Sequence, residues 1–303
     1  MRPWMSSPKQ TISEQTLDEI FSETLTETPC VYLNEERDVH VATEMCVQYL
    51  ESIVDSIVIR NNELKPIGML GGYDLLNFLR LNPSRDAQYD TKVNQIMSKN
   101  LLFVNKTTLF EDLMKKWTES RRAFAIIPNK FQGHSPISAR KFLDAGIRCK
   151  TNTRISSLPK KKMITFHSDD TLHDIINLMF ENKTRKLVLE YSNQFISDRI
   201  ILKEISKTLK IHPDVTDFLE IPASQIQLED VEVEKEDLLL NQICEKMLQM
   251  EHSYVIYKDI SITPWDICNV LMNERLAESY ELKSDNITCP YCKKKFNANQ
   301  MSN

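Results

Sequence analysis

Ser261-Ile262-Thr263-Pro264-Trp265-Asp266-Ile267 decides how this chain is read. An apolar strand end meets a hydroxyl residue, then a proline, then an acid one turn later. That order is a helix start, with Thr263 as cap, Pro264 at the first helical position and Asp266 at the third. Upstream, the same succession occurs four times: an apolar strand, an amphipathic helix, two short strands and a second helix. Such a repeat replaces one large core with stacked small modules, so it governs the whole fold.

The second copy is clear. Leu101-Leu102-Phe103-Val104 reads as a short strand, and Thr107-Thr108 then opens a helix. Leu109, Phe110, Leu113, Met114 and Trp117 fall at helical spacing within it. Ala123-Phe124-Ala125-Ile126-Ile127 is a continuous apolar run closed by Pro128-Asn129, the pattern of a buried strand. Ser135-Pro136-Ile137-Ser138 returns, and a helix begins at Arg140.

The third copy uses Met163-Ile164-Thr165-Phe166, a helix with Leu172, Ile175, Ile176, Leu178 and Met179, the strands Lys186–Tyr191 and Phe195–Ser197, and a helix over 199–209. The fourth uses Val231-Glu232-Val233, a helix with Leu238, Leu239, Ile243, Met247 and Leu248, and the strands 253–257 and 260–262. The first is looser: Val31-Tyr32-Leu33, a helix over about 41–53, Ser56–Ile59, Pro66–Leu70 and a helix from Tyr73. The four corner residues Gly71, Ser138, Ser197 and Thr263 stand 67, 59 and 66 positions apart in the numbering. Polar connectors lie at 82–90, 150–159 and 210–222.

Composition narrows the function. With 41% hydrophobic and 27% charged residues the chain reads as globular, and its net charge of −5 gives no overall attraction to nucleic acid or anionic membrane. Basic runs are local, at Lys160-Lys161-Lys162 and Lys293-Lys294-Lys295. Five glycines are too few for phosphate loops, and Gly68-Met69-Leu70-Gly71-Gly72 matches neither nucleotide fingerprint. No nucleophile elbow or His-Glu-x-x-His is present, which argues against a self-contained catalytic site. Met1-Arg2-Pro3-Trp4-Met5-Ser6-Ser7 lacks the apolar centre of a signal peptide, and no apolar run approaches the ~20 residues of a membrane span. Cys30, Cys46, Cys149, Cys244 and Cys268 are scattered, as expected of buried thiols in a reducing cytoplasm.

A strand-helix-strand-strand-helix unit ending in Ser/Thr-x-x-Asp resembles the cystathionine β-synthase (CBS) domain, over about residues 20–276. In that family two units pack as a pair, often called a Bateman module. The resemblance therefore implies an α+β fold of two tandem pairs. The first spans 20–149, with repeats 20–82 and 92–149. The second spans 150–276, with repeats 150–209 and 217–276. An N-terminal tail would occupy 1–19, and a linker with a small zinc-knuckle-like tail 277–303. The family's pairs usually bind adenosine-containing ligands such as AMP, ATP or S-adenosylmethionine, and regulate a partner.

The corner chemistry follows from its residues. Thr263 and the free N–H groups of the first helical turn can face an anion, and a carboxylate at Asp266 can accept from a ribose diol. The resemblance assigns Thr263 to phosphate and Asp266 to ribose, with Ser261 and Ile262 lining the adenosine cleft. The same four residues are also a complete helix cap, which needs no ligand. The other corners depart from the pattern. Asp74 follows Gly71 without a hydroxyl; Ser138 and Ser197 keep the hydroxyl but have Lys141 and Ile200 where the acid belongs. Arg140 and Arg199 precede the missing acid, at a position that in the family can reach a phosphate; the alternative is a surface arginine.

Cys289-Pro290-Tyr291-Cys292 resembles half of a zinc finger. No His or Cys follows it, so a second chain or a partner would have to complete a zinc site. These features predict a non-enzymatic cytoplasmic regulator that binds an adenine nucleotide, signals to an unnamed partner protein by a conformational shift, and dimerises. The alternative is a ligand-free scaffold whose tail mediates zinc-dependent dimerisation or a partner or nucleic-acid contact. Overall acidity disfavours nucleic acid.

Overall fold

A computed structural model describes residues 10–49, 55–212, 214 and 217–277, with the backbone of 287–288 and 295–296. A short helix α1 (Leu17–Phe21) comes first. The first repeat is β1 (Tyr32–Asn34), α2 (Val39–Gln48), β2 (Ser56–Arg60), β3 (Pro66–Gly71) and α3 (Gly72–Leu81). Two connector helices, α4 (Arg85–Asp90) and α5 (Val93–Ile96), lead to the second repeat. There α6 (Phe110–Ser120), β4 (Phe124–Pro128) and β5 (His134–Ser138) precede one 3-10 turn and α7 (Phe142–Ile147).

The third repeat is β6 (Thr165–Phe166), α8 (Leu172–Glu181), β7 (Lys186–Leu189), β8 (Gln194–Ser197) and α9 (Asp198–Ile211). The strand β9 (Glu229–Asp230) then precedes β10 (Glu232–Glu234), α10 (Leu240–Gln249), β11 (Val255–Tyr257), β12 (Ile260–Ile262) and α11 (Pro264–Leu271) of the fourth. The strands β13 (Ile287–Thr288) and β14 (Lys295–Phe296) pair antiparallel at the end.

In the first, third and fourth repeats the lead strand lies parallel to the middle one, which pairs antiparallel with the last. The second repeat keeps the hairpin β4–β5, but its lead strand shrinks to one parallel bridge, Phe103 with Ile126. The chain leaves the sheet at Asn105, whose side chain accepts from the Thr107 N–H at 3.0 Å and from the hydroxyls of Thr107 and Thr108. Asn34 makes the same turn after the intact β1 and accepts from the Glu36 N–H at 2.9 Å, so the turn does not account for the short strand.

The repeats pair by exchanging edges. The approach to the second repeat pairs with β3, where Ser98 bridges Met69, while Cys30 at the start of the first donates to His134 of β5 at 2.8 Å. In the second half, β9 ahead of the fourth repeat pairs with β8, and Lys162 ahead of the third bridges Ile260 of β12. The lysine run 160–162 therefore covers a sheet edge that would otherwise be open.

Helices join the halves. One core combines first- and third-repeat residues, among them Leu75, Leu79, Ile175, Ile201 and Ile205. The other combines the second and fourth repeats, among them Trp117, Phe142, Ile243, Met247 and Ile267. Two glycines mark the closest crossings. A methyl on Gly72 would land inside the van der Waals shell of Asp198 Oδ2, and one on Gly146 would strike Cys244 Sγ. The segment 1–19, read from sequence as a tail, is in part structural. Ile12 and Leu17 are fully buried in the second core, and the Ile12 N–H donates to Glu274 O at 2.8 Å. Among the described residues no helix is long and apolar enough to cross a membrane.

Candidate functional site

Each corner lies where a buried strand gives way to a helix. At the fourth, Thr263 caps α11 from extended backbone, with Pro264 at its first position. Its N–H donates to Asp266 Oδ2 at 2.8 Å and its hydroxyl to the same oxygen at 2.6 Å. Asp266 is 6% exposed. Both bonds fall on Oδ2, and among the described residues none donates to Asp266 Oδ1.

Ser261 and Ile262 are buried behind this corner. Ser261 is tied into the sheet edge, its N–H donating to Lys161 O at 3.0 Å and its hydroxyl to the same oxygen at 3.4 Å. Buried Tyr254 backs Ser261. Burial pushes its hydroxyl up; a hydrogen bond with Ser261 opposes the rise and the charge of Asp266 adds to it. The Tyr254 ring lies 5.6 Å from that of Phe195 in the third repeat, and Lys186 Nζ lies 5.5 Å from its centre.

The first corner has the same outline and a different occupant. The Gly71 N–H donates to Asp74 Oδ2 at 2.9 Å, as Thr263 does to Asp266. Arg122, from just ahead of β4, then grips both carboxylate oxygens, with Nη1 2.8 Å from Oδ2 and Nη2 on Oδ1. Asp74 and its partner sit across the junction of the first and second repeats.

The second and third corners are tied to other repeats through their arginines. Ser197 is fully buried, and its hydroxyl accepts from the Ile200 N–H at 3.2 Å as a plain helix cap. Arg199 reaches across to the first repeat, donating to Cys46 O at 2.7 Å and Asp55 O at 3.0 Å. Arg140, beside Ser138, does the matching thing in the fourth repeat. It donates to Leu248 O at 2.8 Å, Met250 O at 2.7 Å and the Ser253 hydroxyl. Each arginine thus caps the end of the first helix of another repeat, filling carbonyls a helix leaves open. At the acid position of the second corner, Lys141 donates to Thr24 O at 2.8 Å, and burial holds its ammonium below the ordinary lysine range.

The corners therefore fall into two kinds. The first and fourth carry an acid, and the second and third carry a bracing arginine. Corners one and three also meet directly. Gly72 lies against Asp198, whose carboxylate accepts from Arg185 Nε at 2.7 Å, and Arg185 Nη1 reaches Asp55 at 3.2 Å. Sequence reading missed Arg122, Arg185, Asp198 and Tyr254. None has a local signature, because each acts on another repeat or behind its own strand.

Elsewhere, a cavity of about 300 Å³ is lined by Ser168, Leu189, Gln194, Ser224, Ile226 and Gln227 and shares no residue with any corner. The candidate zinc ligands Cys289 and Cys292 lie outside the described residues. Among the described residues no group of three or more His, Cys, Asp or Glu could hold a metal ion. The other five cysteines are buried and unpaired, and burial pushes Cys30 and Cys149 each up to about 12.

No protein-family model matches the chain, and no curated protein matches it. Solved structures share its fold. A Methanocaldococcus jannaschii protein, proposed as an archaeal homolog of g-AMPK, superposes with a TM-score of 0.65 at 16% identity, over 84% of this chain and 99% of that one. An uncharacterized conserved protein from Pyrococcus horikoshii gives 0.46 at 13%, over 72% and 91%. A CBS-domain protein from Agrobacterium tumefaciens gives 0.36 at 14%, over 44% and 93%. The α+β fold of this chain, four strand-helix-strand-strand-helix repeats, is shared with the Methanocaldococcus jannaschii protein, in keeping with the expected tandem CBS pairs.

Proposed function

We propose that this chain is a non-enzymatic regulatory protein that takes an adenosine-containing ligand at the Thr263–Asp266 corner. The observation that carries the reading is the state of Asp266. It is a buried acid at a strand-to-helix corner, and one oxygen is held by Thr263 while the other accepts from no described residue. A ribose diol suits that oxygen, and the first turn of α11 suits a phosphate. The likeness in fold to a protein proposed as a homolog of g-AMPK agrees with this assignment. Ligand there would bias the packing of the fourth repeat on the second, where α10 and α11 meet α7, and a partner protein would read the change. The buried thiols agree with a cytoplasmic setting.

Thermal unfolding with AMP, ADP, ATP, NAD or S-adenosylmethionine, beside Asp266→Ala, tests the reading. A ligand at about 100 times its dissociation constant stabilises the folded state by roughly 2.7 kcal/mol. One adenosine ligand should raise the transition of the native chain and leave Asp266→Ala unmoved. No shift with any of them removes the proposal. It would favour the second reading, a ligand-free scaffold, which the use of Arg122, Arg140 and Arg199 as internal braces supports.

A further inference from the structure

We propose that Arg122 is an internal occupant of the first corner, holding Asp74 in the two-point grip that a ligand diol would need and so latching that corner shut. The inference rests on the adenosine reading of the fourth corner given above.

The two acid corners start alike. In each, the N–H of the corner residue donates to the acid three residues on, at 2.9 Å for Asp74 and 2.8 Å for Asp266. They differ in what arrives from the neighbouring repeat. Arg122 stands two residues ahead of Phe124, the residue paired with Ser138. The equivalent pairing in the third repeat is Lys186 with Ser197, and two residues ahead of Lys186 stands Thr184. Thr184 is short and neutral, and its hydroxyl donates to Lys186 O at 3.1 Å. The two corners thus differ at the cap, Gly71 against Thr263, and in the fork that Arg122 supplies only to Asp74.

The competition favours the arginine. A guanidinium and a carboxylate in fork geometry make two charge-assisted bonds, whereas a diol offers two neutral donors. The pair is partly shielded from water, with Asp74 9% and Arg122 22% exposed in their side chains, so solvent screens it less than a surface pair. With the Gly71 N–H included, both oxygens of Asp74 are engaged, and a ligand could reach them only by evicting Arg122.

Calorimetric titration with AMP tests the latch on the native chain, Arg122→Met, Arg122→Met/Asp74→Asn and Asp266→Ala. The native chain should bind one AMP, lost in Asp266→Ala. Arg122→Met should bind two, the second lost again when Asp74→Asn is added. Should Arg122→Met fail to fold, Arg122→Lys asks the same question, since an ammonium cannot grip both oxygens and should also admit a second AMP. A native chain that binds no AMP beside an Arg122 variant that binds one at Asp74 would support the latch and remove AMP alone from the candidates for the fourth corner. A folded Arg122 variant with the same stoichiometry as the native chain overturns the latch, whether that number is one or zero.

Discussion

Replacing Arg199 by Met should loosen the joint between the first and third repeats by about 2–4 kcal/mol. Arg199 is 6% exposed and donates to two carbonyls, Cys46 O at 2.7 Å and Asp55 O at 3.0 Å. Hydrogen bonds from a charged donor are worth roughly 1.5–3 kcal/mol each, so two amount to ~3–6 kcal/mol. Methionine fills much of the same volume and removes the cost of burying a charge, which returns part of that sum. What it cannot do is satisfy the Cys46 carbonyl, one of the last four of α2 and without a partner in its own helix. Urea unfolding followed at two wavelengths gives the change directly, with exposed Lys115→Met as control. Arg140→Met, on the other helical core, should cost less, because Arg140 is only half-buried. The two losses should add in the double variant, since they act on separate joints. A loss below about 1 kcal/mol for Arg199→Met, or no difference from Lys115→Met, would refute the claim that these arginines hold the halves together.

Three further outcomes are expected. Gly146→Ala should destabilise by about 1–3 kcal/mol through overpacking against Cys244, and Cys244→Ala in the same chain should recover most of it in a thermal melt. Asp174 is held below its ordinary value first by the Thr171 hydroxyl at 2.6 Å and then by the Thr171 N–H at 3.0 Å. A depressed acid gives stability that is present above its unfolded value of 3.8 and lost as pH falls through the lower folded value. In Thr171→Val, NMR titration should therefore show Asp174 moving part of the way back up, with a weaker loss of stability on acidification. In a chain carrying Cys289→Ser and Cys292→Ser, a thiol reagent should label none of the five remaining cysteines until the protein unfolds, because all five are buried.

The repeat was legible because its signals are local. Apolar runs, helix caps and the proline at 264 each act within a few residues, and the structure puts a strand or helix at nearly every place they mark. Phe103 shows the limit: its run is apolar, yet it forms one bridge where a strand was expected. The candidate site was legible only in outline. Thr263 and Asp266 lie three apart and must meet on a helix start, whereas Arg122 and Asp74 lie 48 apart and meet only once two repeats are paired. Arg140 and Arg199 could be located from sequence but not assigned, since their partners lie 108 or more residues away along the chain or in a helix of another repeat.

The bond between the Ile12 N–H and Glu274 O has a consequence for how the chain is made. One of the first residues of the second core waits for one of the last. At ribosomal speeds of about 5–20 residues per second, the roughly 260 residues between them take about 13–52 s to appear. From the time each is made, Ile12, Leu17 and Phe142 have no complete fourth repeat to cover them, and the greasy side of α7 stays uncovered until that repeat arrives. The first two repeats can exchange their edges early, but neither helical core closes before the far half has left the exit tunnel. Newborn chains are therefore the form most in need of a holding chaperone, and a stop codon ahead of α11 would leave an apolar face permanently bare rather than a shorter working protein.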